Sequence, residues 1–138
     1  MIRIAQSKED ILKCWEVLHL LRPHLKEADF ADKVMEMFSE GYQIAFIEEN
    51  EKAVAAIGFR YLQMLYNGKQ IYIDDLSTVE EARGKGFAGK LLDYVVNLAK
   101  EKGCQCVTLD SGPARHTAHR LYLNKGFNID SYHFSKKI

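Results

Sequence analysis

A long β-hairpin is the feature that most constrains the fold of this chain. An apolar run from Ala53 to Leu65 is followed by Asn67 and Gly68, a pair of residues typical of a tight hairpin turn. The return strand runs from Ile71 to Val79. Two strands of this length need neighbours that cover their apolar faces, so the hairpin predicts the centre of a larger sheet.

Helices and further strands surround the hairpin along the chain. Apolar residues recur at helical spacing in Ser7–Arg22, Glu27–Ser39, Phe87–Lys102 and His116–Lys125. The other strand-like segments are Ile2–Ala5, Tyr42–Ile47, Cys106–Asp110 and Asn128–Phe134. The order βααβββαβαβ predicts an α/β (α+β) fold, in which a mixed, mostly antiparallel sheet of about six strands is flanked by four helices. At 138 residues the chain is expected to form a single domain.

Charge and hydropathy exclude several classes of partner. Nineteen Lys and Arg residues balance nineteen Asp and Glu residues, so the net charge is zero and no overall field attracts nucleic acid or an anionic membrane. No apolar run approaches the roughly 18 residues of a membrane span, and the first residues lack the apolar core of a secretory signal. We therefore expect a cytoplasmic protein with no nucleic-acid or membrane partner, which binds any anionic ligand through a local feature.

A metal site is not expected. Cys104 and Cys106 lie two apart in a predicted strand, and the only other cysteine is Cys14 on a distant helix, so packing is the favoured role for all of them. His116 and His119 are neighbours on one short helix, which amounts to half a metal site without an evident third ligand.

A glycine-rich segment between a predicted strand and a predicted helix carries the main functional signal. It consists of Arg83, Gly84, Lys85, Gly86, Phe87, Ala88, Gly89 and Lys90. Glycines let the backbone approach a phosphate closely, and the free N–H groups and dipole of a helix N-terminus favour an anion. The spacing matches neither Walker A nor G-x-G-x-x-G. On its own the segment is also compatible with a glycine-rich turn and solvated lysines.

The whole pattern resembles the GCN5-related N-acetyltransferase (GNAT) family. Residues 83–88 fit R-x-x-G-x-[G/A], the acyl-CoA pyrophosphate loop of that family, and the segment Ala118–Phe127 fits its second motif. The stretch Ala118–Tyr122 is also similar to that of the aminoalkylphosphonate N-acetyltransferases. The resemblance covers the whole chain and implies the GNAT fold, one N-acetyltransferase domain over residues 1–138, and acetyl-CoA as co-substrate.

The resemblance implies where acetyl-CoA is held. The thioester would lie against the backbone of the strand segment Leu76, Ser77 and Thr78, and the pyrophosphate would lie on the loop of residues 83–90. Many members of the family have an Asn where this chain has Arg115. The contact of that Asn to the pantetheine arm is therefore not carried over to this chain. Arg115 is compatible with binding a CoA phosphate, binding an acidic group of the acceptor, or simple solvation.

The resemblance also assigns the chemistry. Tyr122 matches the family tyrosine near the CoA sulfur and is the candidate general acid, with a packed aromatic as the alternative role. The adjacent Asp74 and Asp75 are the candidate bases, and on a regular strand they face opposite sides, so one of them reaches the acceptor. A third alternative is that neither is essential and binding alone selects the free amine. Candidates on the acceptor side are Arg22, His24, Glu27, Tyr61 and His133.

Direct transfer of an acetyl group from acetyl-CoA to a primary amine of a small molecule is the leading hypothesis. One alternative is a protein acetyltransferase acting on a lysine or an N-terminus, although no acidic stripe suits a basic tail. Another is a non-catalytic acyl-CoA sensor, which would need neither Tyr122 nor the aspartate pair. Small members of the family often pair through late strands, so a homodimer is also expected.

Overall fold

The computed structural model describes residues 1–138, and its elements follow the expected order as far as the last helix. The strands are β1 (Ile2–Ile4), β2 (Gln43–Glu49), β3 (Lys52–Met64), β4 (Gly68–Thr78) and β5 (Cys106–Leu109). The helices are α1 (Lys8–Lys13), α2 (Trp15–Leu21), α3 (Glu27–Ser39), α4 (Phe87–Glu101) and α5 (His116–Asn124). A short 3-10 turn, Glu80–Ala82, precedes the glycine-rich loop.

The chain divides into two compact units, residues 1–108 and residues 109–138. The first unit holds α1 to α4 and nearly all of the sheet, and the second holds α5 and the C-terminal segment. The single domain expected over residues 1–138 stays a prediction. None of the helices has the length and apolar character needed to cross a membrane.

The five strands form one sheet in the order β1-β2-β3-β4-β5, and the first four pair antiparallel. The predicted hairpin is confirmed: Met64 of β3 pairs with Gly68 of β4, and Gly68 has the left-handed φ of +76° that the turn requires. β3 is the middle strand of the five and β4 lies beside it, so this hairpin, formed by the two longest strands, occupies the centre of the sheet.

Alternation along β3 separates the two faces of the sheet. Ala56 of β3 pairs with Phe46 of β2. Both lie in one buried cluster with residues of α1, α2 and α3, namely Ile11, Val17, Leu18, Phe30 and Val34. We call this side the first face. The alternate residues Ile57 and Phe59 point to the second face, where α4 contacts β3 and β4 and buries Leu91, Leu92, Val95 and Ala99.

Two predictions about the elements were wrong. The first helix is broken at Cys14, whose N–H bonds to the carbonyl of Ile11 three residues back, so α1 and α2 replace one helix and the chain has five α-helices. The strand expected over Asn128–Phe134 is absent, and the sheet has five strands. A strand forms only with a hydrogen-bonding neighbour, and these residues have no ladder partner in the single chain.

Candidate active site

A β-bulge in β4 shapes the centre of the site. Gly58 of β3 pairs with Asp75, and the next residue, Phe59, pairs with Ile73. Asp74 is therefore an extra residue on β4 without a partner on β3. Such a bulge interrupts the strict alternation of side chains along the strand.

The bulge brings both aspartates to the same face of the sheet. Arg60 pairs with Tyr72, and Asp74 follows Tyr72 by two residues, so Asp74 lies on the Arg60 face. Gly58 precedes Arg60 by two residues and pairs with Asp75, which places Asp75 on that face as well. The expectation that the two carboxylates face opposite sides is wrong, because it assumed a regular strand.

Two arginines and a tyrosine bind these carboxylates. The Tyr42 hydroxyl donates to Oδ2 of Asp75 at 2.6 Å, and Nε of Arg22 donates to Oδ1 of Asp75 at 3.0 Å. Nη2 of Arg22 also donates to the Asp74 carbonyl at 2.8 Å. Arg60 binds the Asp74 carboxylate through Nε and Nη2, at 3.0 and 2.7 Å. We refer to Arg22, Tyr42, Arg60, Asp74 and Asp75 as the aspartate cluster.

Burial raises the pKa of two members of the aspartate cluster, Asp74 and Tyr42. Partial burial raises the pKa of the Asp74 carboxyl above its ordinary value, against the opposing effect of the Arg60 guanidinium. Burial, followed by the charge of Asp75, raises the pKa of Tyr42 well above its ordinary value. Tyr42 is therefore a protonated donor at neutral pH, and Asp74 is a stronger base than an exposed aspartate.

Tyr42 lies directly over Gly58. A Cβ atom on residue 58 would lie 2.5 Å from Cζ of Tyr42 and closer still to its hydroxyl oxygen, so only glycine leaves room for the phenol. Sequence reasoning missed both Tyr42 and Arg60, because their partners come from other strands. The available signal was Gly58 itself, since glycine inside an apolar strand often marks a close approach.

The glycine-rich loop has the geometry of an anion site. Gly84 and Gly86 have φ values of +81° and +79°, and nothing lies within 4 Å of the position that a Cβ would take at either. Gly86 caps α4, whose first turn has no side-chain cap and no acidic residue. Its first N–H groups are thus free to bind a phosphate, with Arg83 and Lys90 beside them as cations.

The end of β4 extends beyond its outer neighbour. The Gln105 N–H, just before β5, donates to the Lys69 carbonyl at 2.7 Å, at the start of β4. β5 has four residues and reaches about 13 Å along its neighbour. Leu76–Thr78 pair with β3, and Leu76 is seven residues beyond Lys69, a longer stretch than the four residues of β5. Nε of Arg83 donates to the Thr78 carbonyl at 3.4 Å, which joins this segment to the loop.

Residues 109–138 hold the remaining motif residues. Tyr122 is half-buried on α5, and its ring centroid lies 6.0 Å from that of Phe127. Burial raises the pKa of Tyr122, and the charge of Arg115 opposes this by lowering it. Arg115 caps α5 and donates its N–H to the Gly112 carbonyl at 3.1 Å. Nδ1 of the exposed His133 lies 3.5 Å from a carboxylate oxygen of Asp110.

The acceptor-side candidates do not all come together. Arg22 belongs to the aspartate cluster, the exposed His24 follows it in the loop after α2, and Glu27 begins α3. Tyr61 lies on the second face, because it follows Phe59 by two residues and the two rings are 6.4 Å apart. The structure therefore separates Tyr61 from Arg22, which sequence position alone did not reveal.

The described residues include no group of three or more His, Cys, Asp or Glu that would hold a metal ion. None of the three cysteines forms a disulfide bond. His116 and His119 are in ring contact, with centroids 6.3 Å apart.

A comparison with known families decides the class of this protein. Residues 8–127 match the acetyltransferase (GNAT) family. The chain belongs to the GNAT family. The architecture agrees with this family. Residues 1–108 form a sheet with helices on its faces, and the loop with R-x-x-G-x-[G/A] spacing leads into the N-terminus of α4.

Individual GNAT proteins are similar along nearly all of the chain. The uncharacterized N-acetyltransferase YhdJ of Bacillus subtilis (strain 168) is 32% identical over 142 residues, with 100% of each chain covered. The aminoglycoside N(6')-acetyltransferase type 1 of Serratia marcescens is 25% identical over 131 residues, with 90% of each covered. A solved ribosomal-protein-alanine N-acetyltransferase from Brucella melitensis biovar Abortus 2308 has a TM-score of 0.84 and 16% identity, covering 100% of this chain and 99% of that one.

These similarities confirm the expected enzyme class, an acyl-CoA-dependent N-acyltransferase. Acetyl-CoA is the co-substrate of the GNAT family. The acceptors named for the relatives are different, an aminoglycoside for one and a ribosomal protein for the other. Family membership thus gives the reaction and leaves the acceptor open.

Proposed function

We propose that this GNAT enzyme transfers the acetyl group of acetyl-CoA to a primary amine of a small molecule by direct attack. The bulge at Asp74 is the observation that carries the proposal. It places two carboxylates on the same face, immediately before Leu76–Thr78, the strand segment assigned to the thioester. A site that only bound acyl-CoA would have no need for carboxylates at this point.

The acyl donor is assigned to three parts of the chain. Backbone groups of Leu76, Ser77 and Thr78 hold the thioester, and the pyrophosphate lies on the N–H groups of residues 84–89. The side chains of three loop residues supply positive charge: Arg83, Lys85 and Lys90. For Arg115 we propose a contact to a CoA phosphate.

Acetyl-CoA supplies an activated carbonyl, on which the amine nitrogen forms a C–N bond while the C–S bond breaks. The chain supplies two groups that transfer protons. A carboxylate takes one proton from the acceptor ammonium, directly or through water, so that the free amine can attack. Tyr122 gives its proton to the departing thiolate and recovers one, directly or through water, from the nitrogen as the amide forms. The raised pKa of Tyr122 keeps its hydroxyl protonated at neutral pH, as a general acid requires.

Asp74 is our choice for the base. Burial raises its pKa, which makes it a better proton acceptor near neutral pH. Both carboxylates have both oxygens bound, but Asp75 joins β4 to Tyr42 and to Arg22 after α2, whereas Asp74 is bound by Arg60 of the adjacent strand, so we assign Asp75 to holding the site together. Arg22, His24, Glu27 and His133 remain the proposed acceptor-side residues, and Tyr61 is left out because it lies on the second face.

A small-molecule acceptor is favoured by the Serratia relative, which acts on an aminoglycoside and matches 90% of this chain. The solved ribosomal-protein-alanine N-acetyltransferase is only 16% identical to this chain, so its similarity supports the fold alone. A homodimer and a cytoplasmic location stay predictions of the sequence.

A thiol-release assay with acetyl-CoA and a panel of amines tests the function. The panel contains polyamines, aminoglycosides, aminoalkylphosphonates, amino acids and peptides, and we expect turnover with one class of small molecule. Acetyl-CoA at roughly a hundredfold excess over its Kd should raise the Tm by about 5–10 °C. Turnover on peptides alone would favour a protein acceptor. No turnover together with a raised Tm would favour a sensor.

Two glycines at opposite ends of α4 make a matched test of the phosphate loop. Gly86→Ala and Gly103→Ala each place a side chain at a left-handed φ, +79° and +72°, in open space. Each should lower the stability by about 1 kcal/mol. We expect only Gly86→Ala to weaken acetyl-CoA binding, by about tenfold or more in calorimetry, because only Gly86 lies in the loop. If both variants weakened acetyl-CoA binding equally, the assignment of the pyrophosphate to the glycine-rich loop would be contradicted.

A further inference from the structure

Tyr42 is a buried member of the aspartate cluster that sequence reasoning missed. Its side chain is confined on two sides, by the backbone of Gly58 and by the Arg60 guanidinium 5.3 Å from its ring centroid. With the ring fixed in this way, its hydroxyl has one polar partner within reach, the Asp75 carboxylate. The phenol therefore acts as a rigid donor that points at one oxygen.

Asp75 transmits this constraint to α2. One carboxylate oxygen accepts from Tyr42 and the other accepts from Arg22, so the carboxylate plane is set by two bonds on opposite edges. Without the Tyr42 bond the carboxylate would gain freedom to rotate away. The Arg22 side chain is 41% exposed, so water would then compete with Asp75 for its Nε–H.

Arg22 joins the loop after α2 to β4. It caps α2, precedes Pro23, and accepts the N–H of Leu25 on its carbonyl at 3.1 Å. Its guanidinium bonds both to the Asp75 carboxylate and to the carbonyl of Asp74 in the bulge. A single side chain thus holds the loop that carries His24 against the strand on which the acyl group is proposed to lie.

We propose that Tyr42 is a positioning residue for the acceptor: its hydroxyl fixes Asp75, Asp75 fixes Arg22, and Arg22 holds the loop of residues 22–25 at the acyl end of β4. The inference rests on the proposed function for its kinetic consequence. The structural link from Tyr42 to Arg22 is independent of turnover. Tyr42 touches neither substrate and transfers no proton in this scheme.

Tyr42→Phe tests the link because it removes one hydroxyl and keeps the ring over Gly58 and beneath Arg60. Arg22 and Arg60 each donate Nε–H to an aspartate, so their side-chain signals in ¹⁵N NMR report the two ion pairs separately. We expect the Arg22 Nε–H signal to be lost to exchange with water and the Arg60 signal to persist. The exposed Tyr66→Phe, at the tip of the hairpin, is the matched control and should leave both signals unchanged.

Kinetics of the same variants test the role in acceptor binding. With the best amine of the panel, Tyr42→Phe should raise the acceptor KM about tenfold or more, while kcat and the Kd for acetyl-CoA stay within about twofold. An unchanged Arg22 signal, or a fall in kcat with KM constant, would overturn the positioning role. Absence of turnover in the unmodified enzyme would overturn the proposed function, and loss of the Arg22 signal in Tyr42→Phe would still support the link.

Discussion

Tyr122→Phe is expected to lower kcat by about a hundredfold or more, the size of effect typical of a lost general acid. The phenyl ring keeps its packing against Phe127, so the variant removes only the proton donor. Because burial raises the pKa of Tyr122, the hydroxyl is protonated throughout the neutral range and the loss should appear at every pH below that pKa. The measurement is thiol release at saturating acetyl-CoA and amine.

The control for this variant is Tyr132→Phe, which removes an exposed hydroxyl in the same unit. It should leave kcat unchanged. The Kd for acetyl-CoA, measured by calorimetry, should stay within about twofold in both variants, since a hydroxyl used only in the transition state adds little to ground-state binding. Full turnover in Tyr122→Phe would remove this residue from the mechanism and leave it a packed aromatic.

Gly58→Ala is expected to destabilise the protein by about 2–3 kcal/mol, at the upper end of the range for overpacking in a core. The added methyl group would overlap the Tyr42 phenol, which is held by Arg60 and Asp75 and has no free space to enter. Urea unfolding should show a lower midpoint with an unchanged m-value. Gly112→Ala is the matched control, because its new Cβ would meet only an ordinary contact at 3.9 Å.

A double substitution distinguishes this clash from a general intolerance of β3. Tyr42→Ala alone should destabilise the protein through the cavity that it leaves. Combined with Gly58→Ala, it removes the overlap, so the double variant should be more stable than the sum of the two effects by about 1 kcal/mol or more. Additive effects would show that the cost of Gly58→Ala comes from somewhere other than Tyr42.

Periodicity in the sequence predicted the elements that are held together locally. The sequence placed the ends of helix α4 within one residue and the ends of the two hairpin strands within three, since turn chemistry and helical spacing are properties of neighbouring residues. The break at Cys14 escaped prediction because it depends on one backbone bond to Ile11 and changes no apolar spacing. The strand expected at residues 128–134 has a strand-like pattern but no neighbour in the chain to pair with.

The sequence by itself determined the family motifs, the glycine-rich loop and the choice of Asp74, Asp75 and Tyr122 as candidates. Only the tertiary structure decided that both carboxylates lie on one face and that Tyr42, Arg22 and Arg60 bind them. The physical reason is the bulge, which is a mismatch in register between β3 and β4. A mismatch of this kind belongs to the pair of strands, so the pattern along β4 alone carries no trace of it.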